Sequence, residues 1–253
     1  NALDENTTGE NNTAIGRNAL ASNTTGNFNV ALGTYALDAN TTASDNTAIG
    51  YNALTENTTG TDNTALGFQA LRDTTEGPNN TAVGHEALKL NTTGTRNTAV
   101  GTRAQDVSTT ANDNTALGYN ALGACTTGAE NTCVGSAAGV SITTATHCVA
   151  IGYVALNTNE TGSNIVAIGN EALQKCTAGE NVAIGYQALE ELTTGSQNTA
   201  VGNYALDSIT TSSDNTAIGH DALTAATSAS SNTALGHRTL MRTTTGSNNT
   251  SGG

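Results

Sequence analysis

The chain has 253 residues with two Phe, no Trp, one Met and one Pro, which argues against a globular core built from large side chains. Its formal net charge of −13 comes from 21 acidic and 8 basic residues scattered singly, so the basic footprint that binds nucleic acid is missing. No stretch approaches the roughly 18 consecutive apolar residues of a transmembrane helix, so no membrane insertion is predicted.

The whole chain is a tandem repeat. A glycine recurs every 17 residues, with one interval of 16 before Gly185, and these glycines divide the chain into 15 repeats, the first truncated. The repeat Tyr51–Gly67, YNALTENTTGTDNTALG, is typical, and its residues define positions 1 to 17 below. A period this short cannot hold two helices, whereas stacked repeats can cover one another's apolar faces. We therefore predict an all-β parallel solenoid (β-roll) of about 15 coils, a single domain over residues 1–253 and part of a longer fibre.

Position 1 often carries an aromatic or imidazole ring. These rings form a candidate surface-contact stripe: Tyr51, Phe68, His85, Tyr119, Tyr153 and Tyr186. Exposed rings of this kind contact glycans and proteins well. The alternative, which we favour, is that the rings shield a strand edge or a subunit seam.

Positions 3 and 4 are Ala-Leu in most repeats, as in Ala53 and Leu54. We expect a second strand here, with the leucine filling the interior of the coil. The N-T-T-G segment at positions 7 to 10 is then the wide connection between strands, and the glycine at position 17 makes the tight one, where a positive φ or a close backbone approach is expected.

Positions 13 to 17 read N-[TV]-A-[IVL]-G and alternate with period two, which predicts a strand. Because Thr or Val alternates with an aliphatic residue, as in Thr64 and Leu66, we expect both to point into the coil. The alanine between them would then point outward, yet it is almost never replaced, which predicts that a second copy of the chain packs against it. This candidate trimer seam comprises Ala31, Ala48, Ala65, Ala82, Ala99 and Ala116.

Other polar residues suggest sites only weakly. Asp45 and Asn46 before a strand could supply calcium ligands, but an amide ladder along the stack is the favoured interpretation for Asn46 and its equivalents. His220 and His237 lie one coil apart without a third ligand, so we favour surface histidines over a metal site.

The four cysteines, Cys125, Cys133, Cys148 and Cys176, show no metal-ligand spacing. We favour small residues tolerated in packed rows over a Cys125–Cys148 disulfide. No nucleophile has a neighbouring base in a non-repeating loop, and no insertion builds a pocket, so neither enzymatic activity nor a cofactor is predicted.

The strand motif, written NTAIG, NVALG, CVAIG and NVAIG in this chain, resembles the head repeats of trimeric autotransporter adhesins of the YadA type, and similar repeats occur in phage tail fibres. The resemblance extends over all 15 repeats. It implies a parallel β-roll that assembles as a homotrimer and binds host surfaces. It also implies that Thr64 and Leu66 belong to the roll core and Ala65 to the trimer axis. The 17-residue period, the Ala-Leu pair and the N-T-T-G turn depart from the family pattern.

These observations predict a structural or adhesive segment of an extracellular fibre, on a cell surface or a virion, that forms a homotrimer and contacts a host or environmental surface, with glycan or matrix protein as partner. Two alternatives remain open. An ice-binding solenoid would use the Thr-Thr pairs that recur at positions 8 and 9, although only one threonine of each pair could face outward and a flat Thr-x-Thr face is missing. A filament subunit would stack end to end through uncapped coils.

Overall fold

The computed structural model describes residues 1–253 and is all-β. Its 15 strands have three residues each and are all parallel to their partners. The chain divides into two compact bodies, an N-terminal body (Asn1–Ala129) and a C-terminal body (Glu130–Gly253). The predicted solenoid with a repeat of about 17 residues is therefore confirmed.

The strands of the N-terminal body are β1 (Thr13–Ile15), β2 (Val30–Leu32), β3 (Thr47–Ile49), β4 (Thr64–Leu66), β5 (Thr81–Val83), β6 (Thr98–Val100) and β7 (Thr115–Leu117). Those of the C-terminal body are β8 (Thr132–Val134), β9 (Val149–Ile151), β10 (Val166–Ile168), β11 (Val182–Ile184), β12 (Thr199–Val201), β13 (Thr216–Ile218), β14 (Thr233–Leu235) and β15 (Thr250–Gly252). Within each body every strand pairs with the strands before and after it in the chain. The register joins equivalent positions, as in Thr64 with Thr81 and Ala65 with Ala82.

A glycine at position 17 follows each strand, and inside the stack no side chain fits there. Gly50 has a φ of 137°, and a Cβ added to it would lie 2.3 Å from the carbonyl oxygen of Gly67 in the next coil. Left-handed backbone and close coil-to-coil approach thus coincide at one position, as predicted.

The predicted orientation of the strand side chains is wrong. In β4 the central Ala65 is fully buried, whereas Thr64 and Leu66 on either side are exposed. The seam alanines, Ala31, Ala48, Ala65, Ala82, Ala99 and Ala116, are all buried inside their own chain. They cannot form a contact surface for another subunit. Alternation showed correctly which residues share a face, but it could not show which face points inward.

The physical reason is that position 15 lies against position 4 across a narrow interior. In the C-terminal body, Cys133 replaces the alanine, and Gly139 replaces the leucine six residues later. A Cβ on Gly139 would lie 2.6 Å from the Cys133 Sγ and 2.9 Å from a methyl of Ile142. Opposite a leucine the interior has room for only one methyl group, which explains why alanine is retained.

The predicted second strand at the Ala-Leu pair is also wrong. This segment is a series of turns in which Asn52 and Leu54 adopt left-handed φ values of 55° and 51°. The turns place both Ala53 and Leu54 in the interior, where they are fully buried. Coil-to-coil bonding continues through the turns, since the Leu54 amide donates to the Ala70 carbonyl at 3.0 Å.

In the N-terminal body two rows rich in asparagine complete the interior. In the pre-strand row (position 13), the backbone amide of Asn63 donates to the side-chain oxygen Oδ1 of Asn46 at 3.0 Å. The side-chain Nδ2 of Asn46 donates to the Gly60 carbonyl at 2.9 Å. In the bend row (position 7), the Asn40 Nδ2 donates to the Asn23 Oδ1 at 2.8 Å. The predicted amide ladder is confirmed, and it has a second counterpart that the sequence analysis did not name. The fold has no helix of the length and apolarity that a membrane span requires.

Candidate functional site

The most distinctive surface is the sheet face, formed in each body by the side chains at positions 14 and 16. In the N-terminal body it comprises Thr13, Val30, Thr47, Thr64, Thr81, Thr98 and Thr115 beside Ile15, Leu32, Ile49, Leu66, Val83, Val100 and Leu117. In the C-terminal body it comprises Thr132, Val149, Val166, Val182, Thr199, Thr216, Thr233 and Thr250 beside Val134, Ile151, Ile168, Ile184, Val201, Ile218, Leu235 and Gly252. Each row therefore repeats at the strand spacing of about 4.8 Å.

The sheet face is uncharged and largely aliphatic, although it contacts solvent. No strand contains an Asp, Glu, Lys or Arg. Leu66 is 43% exposed and Leu117 46% in the N-terminal body, and Leu235 is 56% exposed in the C-terminal body. Single exposed aliphatic residues are ordinary, but contiguous rows of them mark an interaction surface.

The predicted aromatic stripe lies beside the sheet face, because position 1 follows directly after the glycine that ends each strand. The structure brings Tyr51, Phe68 and His85 together as a stacked column, with ring centroids 5.5 Å and 5.0 Å apart. Tyr35 packs edge-on against Tyr51, and the Arg17 guanidinium lies 5.4 Å from the Tyr35 ring centroid. Since the rings cover one another's faces, the column presents mainly edges to a partner.

The other stripe residues are placed differently. Tyr119 and Tyr153 are 57% and 58% exposed and take no part in a ring contact. Tyr186 packs edge-on against Tyr204 in the C-terminal body, at 5.3 Å between centroids. Tyr35 and Tyr204 stand at position 2 and were not predicted as ring contacts of the stripe. An aromatic residue one place after the stripe position in an adjacent repeat was the available signal.

Charged residues lie on the turns, away from the sheet face. In the N-terminal body many are paired. Arg96 contacts Asp113 at 2.6 Å and lowers the pKa of that carboxyl, and Lys89 lowers the pKa of Glu86 in the same way. In the C-terminal body, burial and then the charge of Glu191 raise the pKa of Asp207. The charges thus surround an uncharged face.

Reactive groups are scarce in this structure. Burial raises the pKa of the Cys125 thiol to about 12 and those of Cys148 and Cys176 to about 11, so these thiols stay protonated and unreactive at neutral pH. None of the three forms a disulfide. His220 and His237 have ring centroids 5.5 Å apart, but no group of three or more metal-ligating side chains is present.

No family model, no curated protein and no solved structure matches the chain. Function must therefore be argued from the sheet face and the turns themselves.

Proposed function

We propose that the chain is a structural and adhesive segment of an extracellular fibre, and that copies of it self-associate through the sheet face as a homotrimer. The observation that carries the proposal is the pair of exposed aliphatic and threonine rows without a single charge. Covering apolar surface is favourable by about 25 cal/mol for each Å² removed from water. Rows that continue from strand to strand therefore favour a stable interface.

The partner that best fits these rows is another copy of the chain. A second copy carries rows with the same spacing, so side chains can interdigitate along the whole length of the face. Net charge opposes such association, since each copy carries −13. The exclusion of charge from the strands removes that repulsion from the contact itself. The number of copies, three, rests on the resemblance to trimeric adhesin heads.

Self-association also gives the adhesive part of the proposal a physical basis. A trimer presents each surface feature of the turns three times, and linked binding sites raise overall avidity without any new contact. Continuous hydrogen bonding from coil to coil gives rigidity, as between the amide of Leu54 and the carbonyl of Ala70. Reach, rigidity and repeated contacts are what a fibre on a cell surface or a virion requires.

Sedimentation equilibrium tests the proposal directly. We expect a trimer of the 25.3 kDa chain at micromolar concentration. The double substitution Leu66→Glu and Leu117→Glu places charges on the sheet face and should yield folded monomers. Thr59→Glu is the matched control, because Thr59 is exposed on a turn where Glu76 occurs naturally one repeat later. A wild-type chain that stays monomeric at all accessible concentrations would remove the proposal.

The sheet face also supports a second candidate, ice binding. Six of the seven strands in the N-terminal body begin with an outward threonine, so hydroxyl and methyl groups form a regular uncharged array. The ice-binding alternative in the sequence drew on the Thr-Thr pairs at positions 8 and 9, and these strand threonines were predicted to be interior. Thermal hysteresis at millimolar protein concentration decides between the candidates. A trimer that covers this face should show none, whereas hysteresis lost in Thr64→Glu would favour ice binding.

A further inference from the structure

The only 16-residue interval between glycines, residues 170–185, alters the surface of the C-terminal body. Its strand keeps the usual register, with Val166 paired to Val182 and Val182 to Thr199. Leu173 and Cys176 are buried like their equivalents. The missing residue therefore falls in the segment between Cys176 and Asn181, where C-T-A-G-E-N replaces a seven-residue N-T-T-G-x-x-N.

The shortened connection meets different backbone atoms from a full-length one. In full-length repeats a Cβ on the glycine of this connection faces the carbonyl oxygen of the following coil, as at Gly60, where it would lie 2.8 Å from the Gly77 oxygen. A Cβ on Gly162 would lie 2.8 Å from the Ala178 carbonyl carbon, and one on Gly179 would lie 2.5 Å from the Ser163 carbonyl oxygen. Beside the shortened connection the surface forms an open groove of about 400 Å³. The groove is lined by Thr161, Ser163, Asn164, Gly179, Glu180 and Ser196. Its volume lies in the range of small-molecule sites.

Backbone donors also lie at the groove. One coil earlier, the amides of Thr143 and Thr144 both donate to the Glu160 carbonyl, at 2.9 and 3.2 Å. The equivalent amides of Glu160 and Thr161 donate to no carbonyl of the shortened connection. Hydroxyl, amide and carboxylate side chains surround these donors, while the apolar wall of an ordinary small-molecule pocket is lacking.

From this lining we infer that the groove binds a single hexose unit of a glycan, neutral or amino-substituted. Sugar hydroxyls donate and accept, which matches backbone amides, hydroxyls of Ser163 and Ser196, and the Glu180 carboxylate. Glu180 accepts from the Gln197 Nε2 at 3.1 Å, so its carboxylate is oriented while further lone pairs remain for a ligand hydroxyl. The same negative charge disfavours acidic sugars. The inference rests on the adhesive role proposed above and names its ligand class.

NMR titration of the isotope-labelled full chain tests this site, with methyl glucoside, methyl galactoside and N-acetylglucosamine as probes. We expect at least one probe to bind with a dissociation constant on the order of millimolar. Amide shifts should be confined to Thr161, Ser163, Asn164, Glu180 and Ser196. N-acetylneuraminic acid, which is anionic, should bind at least about fivefold more weakly.

Two variants give the test its controls. Glu180→Gln should weaken binding about tenfold, whereas Asp214→Asn makes the same charge change at the equivalent exposed position two repeats on and should have no effect. Inserting a Thr between Thr177 and Ala178 restores 17 residues and should abolish binding. Absence of binding by every neutral probe, or equal binding by wild type and Glu180→Gln, overturns the inference. Sedimentation does not enter this test, so the site and the self-association can fail separately.

Discussion

The bend row differs between the two bodies. In the N-terminal body it is mainly amide and otherwise polar or thiol, and reads Asn6, Asn23, Asn40, Asn57, Thr74, Asn91, Ser108 and Cys125. In the C-terminal body it is mainly aliphatic and reads Ile142, Asn159, Cys176, Leu192, Ile209, Ala226 and Thr243. Both Asn40 and Ile209 are fully buried. The same bend of the coil is therefore stabilised mainly by hydrogen bonds in the N-terminal body and mainly by apolar packing in the C-terminal body.

The amide row depends on continuity. Each Nδ2 donates to the Oδ1 of the preceding coil, so a break leaves an acceptor without a donor. Thr74 and Ser108 interrupt the row, and the buried oxygens Asn57 Oδ1 and Asn91 Oδ1 have no partner. All four buried side-chain atoms without a hydrogen bond lie in the N-terminal body. An unpaired buried polar atom costs about 1–3 kcal/mol.

The aliphatic row tolerates an isolated amide. Asn159 lies between Ile142 and Cys176, and its hydrogen bonds stay within its own turn. The Asn159 Nδ2 donates to the Gly162 carbonyl at 2.8 Å, and the Gly162 amide donates to the Asn159 Oδ1 at 3.0 Å. The side-chain amides of the bend row thus bond from coil to coil in the N-terminal body, whereas in the C-terminal body the side chain of Asn159 bonds only within its own turn.

The same substitution should therefore have unequal effects. Asn40→Leu removes the donor to Asn23 Oδ1 and an acceptor for Asn57, and should lower the free energy of unfolding by about 2 kcal/mol. Asn159→Leu extends an apolar row, and water can reach the amide of the part-exposed Gly162 beside it. This substitution should change the free energy of unfolding by less than about 0.5 kcal/mol. Urea unfolding at fixed protein concentration measures both. Equal losses would show that the ladder has no special coupling.

Repairing the ladder should be the next largest effect. Thr74→Asn supplies a donor for the unpaired Asn57 Oδ1 and an acceptor for the Asn91 Nδ2, joining the two parts of the row. We expect a gain of about 1 kcal/mol in unfolding free energy. Thr59→Asn makes the same chemical change at an exposed position and should have almost no effect. If Thr74→Asn gives no gain or destabilises the chain, the break in the ladder does not limit stability.

The smallest effect concerns charge. Burial and then Glu191 raise the pKa of Asp207 in the folded C-terminal body. A carboxyl with a raised folded pKa destabilises the fold as pH rises from its unfolded value toward neutrality. Asp207→Asn should therefore stabilise the chain by a few tenths of a kcal/mol at pH 7, because the group is partly solvated. The advantage should shrink as the pH falls and vanish below the unfolded-state pKa of about 3.9, where Asp207 is protonated in both states, and a pH-independent difference would contradict this cause.

The rows of asparagine also show which hydrogen bonds can be predicted from the sequence and which cannot. The Asn ladder of the pre-strand row followed from a fixed amide at one position of a parallel stack, since stacking aligns equivalent residues. The local bonding of Asn159 could not be foreseen, because it depends on Gly162 lying close enough to close a ring of hydrogen bonds. The groove beside Gly179 was likewise hidden. A one-residue deletion is visible in the sequence, but which backbone atoms meet across the shortened connection is not.

The 17-residue period alone determined the parallel stack, its register and the identity of the residues that share a face. A parallel ladder aligns equivalent positions, and alternation in a strand has period two, so both follow from spacing. Only the tertiary structure decided which face is inside. Ala65 is interior because Leu-bearing turns, whose left-handed φ values no periodicity reveals, fill the coil opposite it and leave room for one methyl group. The aliphatic and threonine side chains that alternation grouped as core are therefore on the surface and available to a partner.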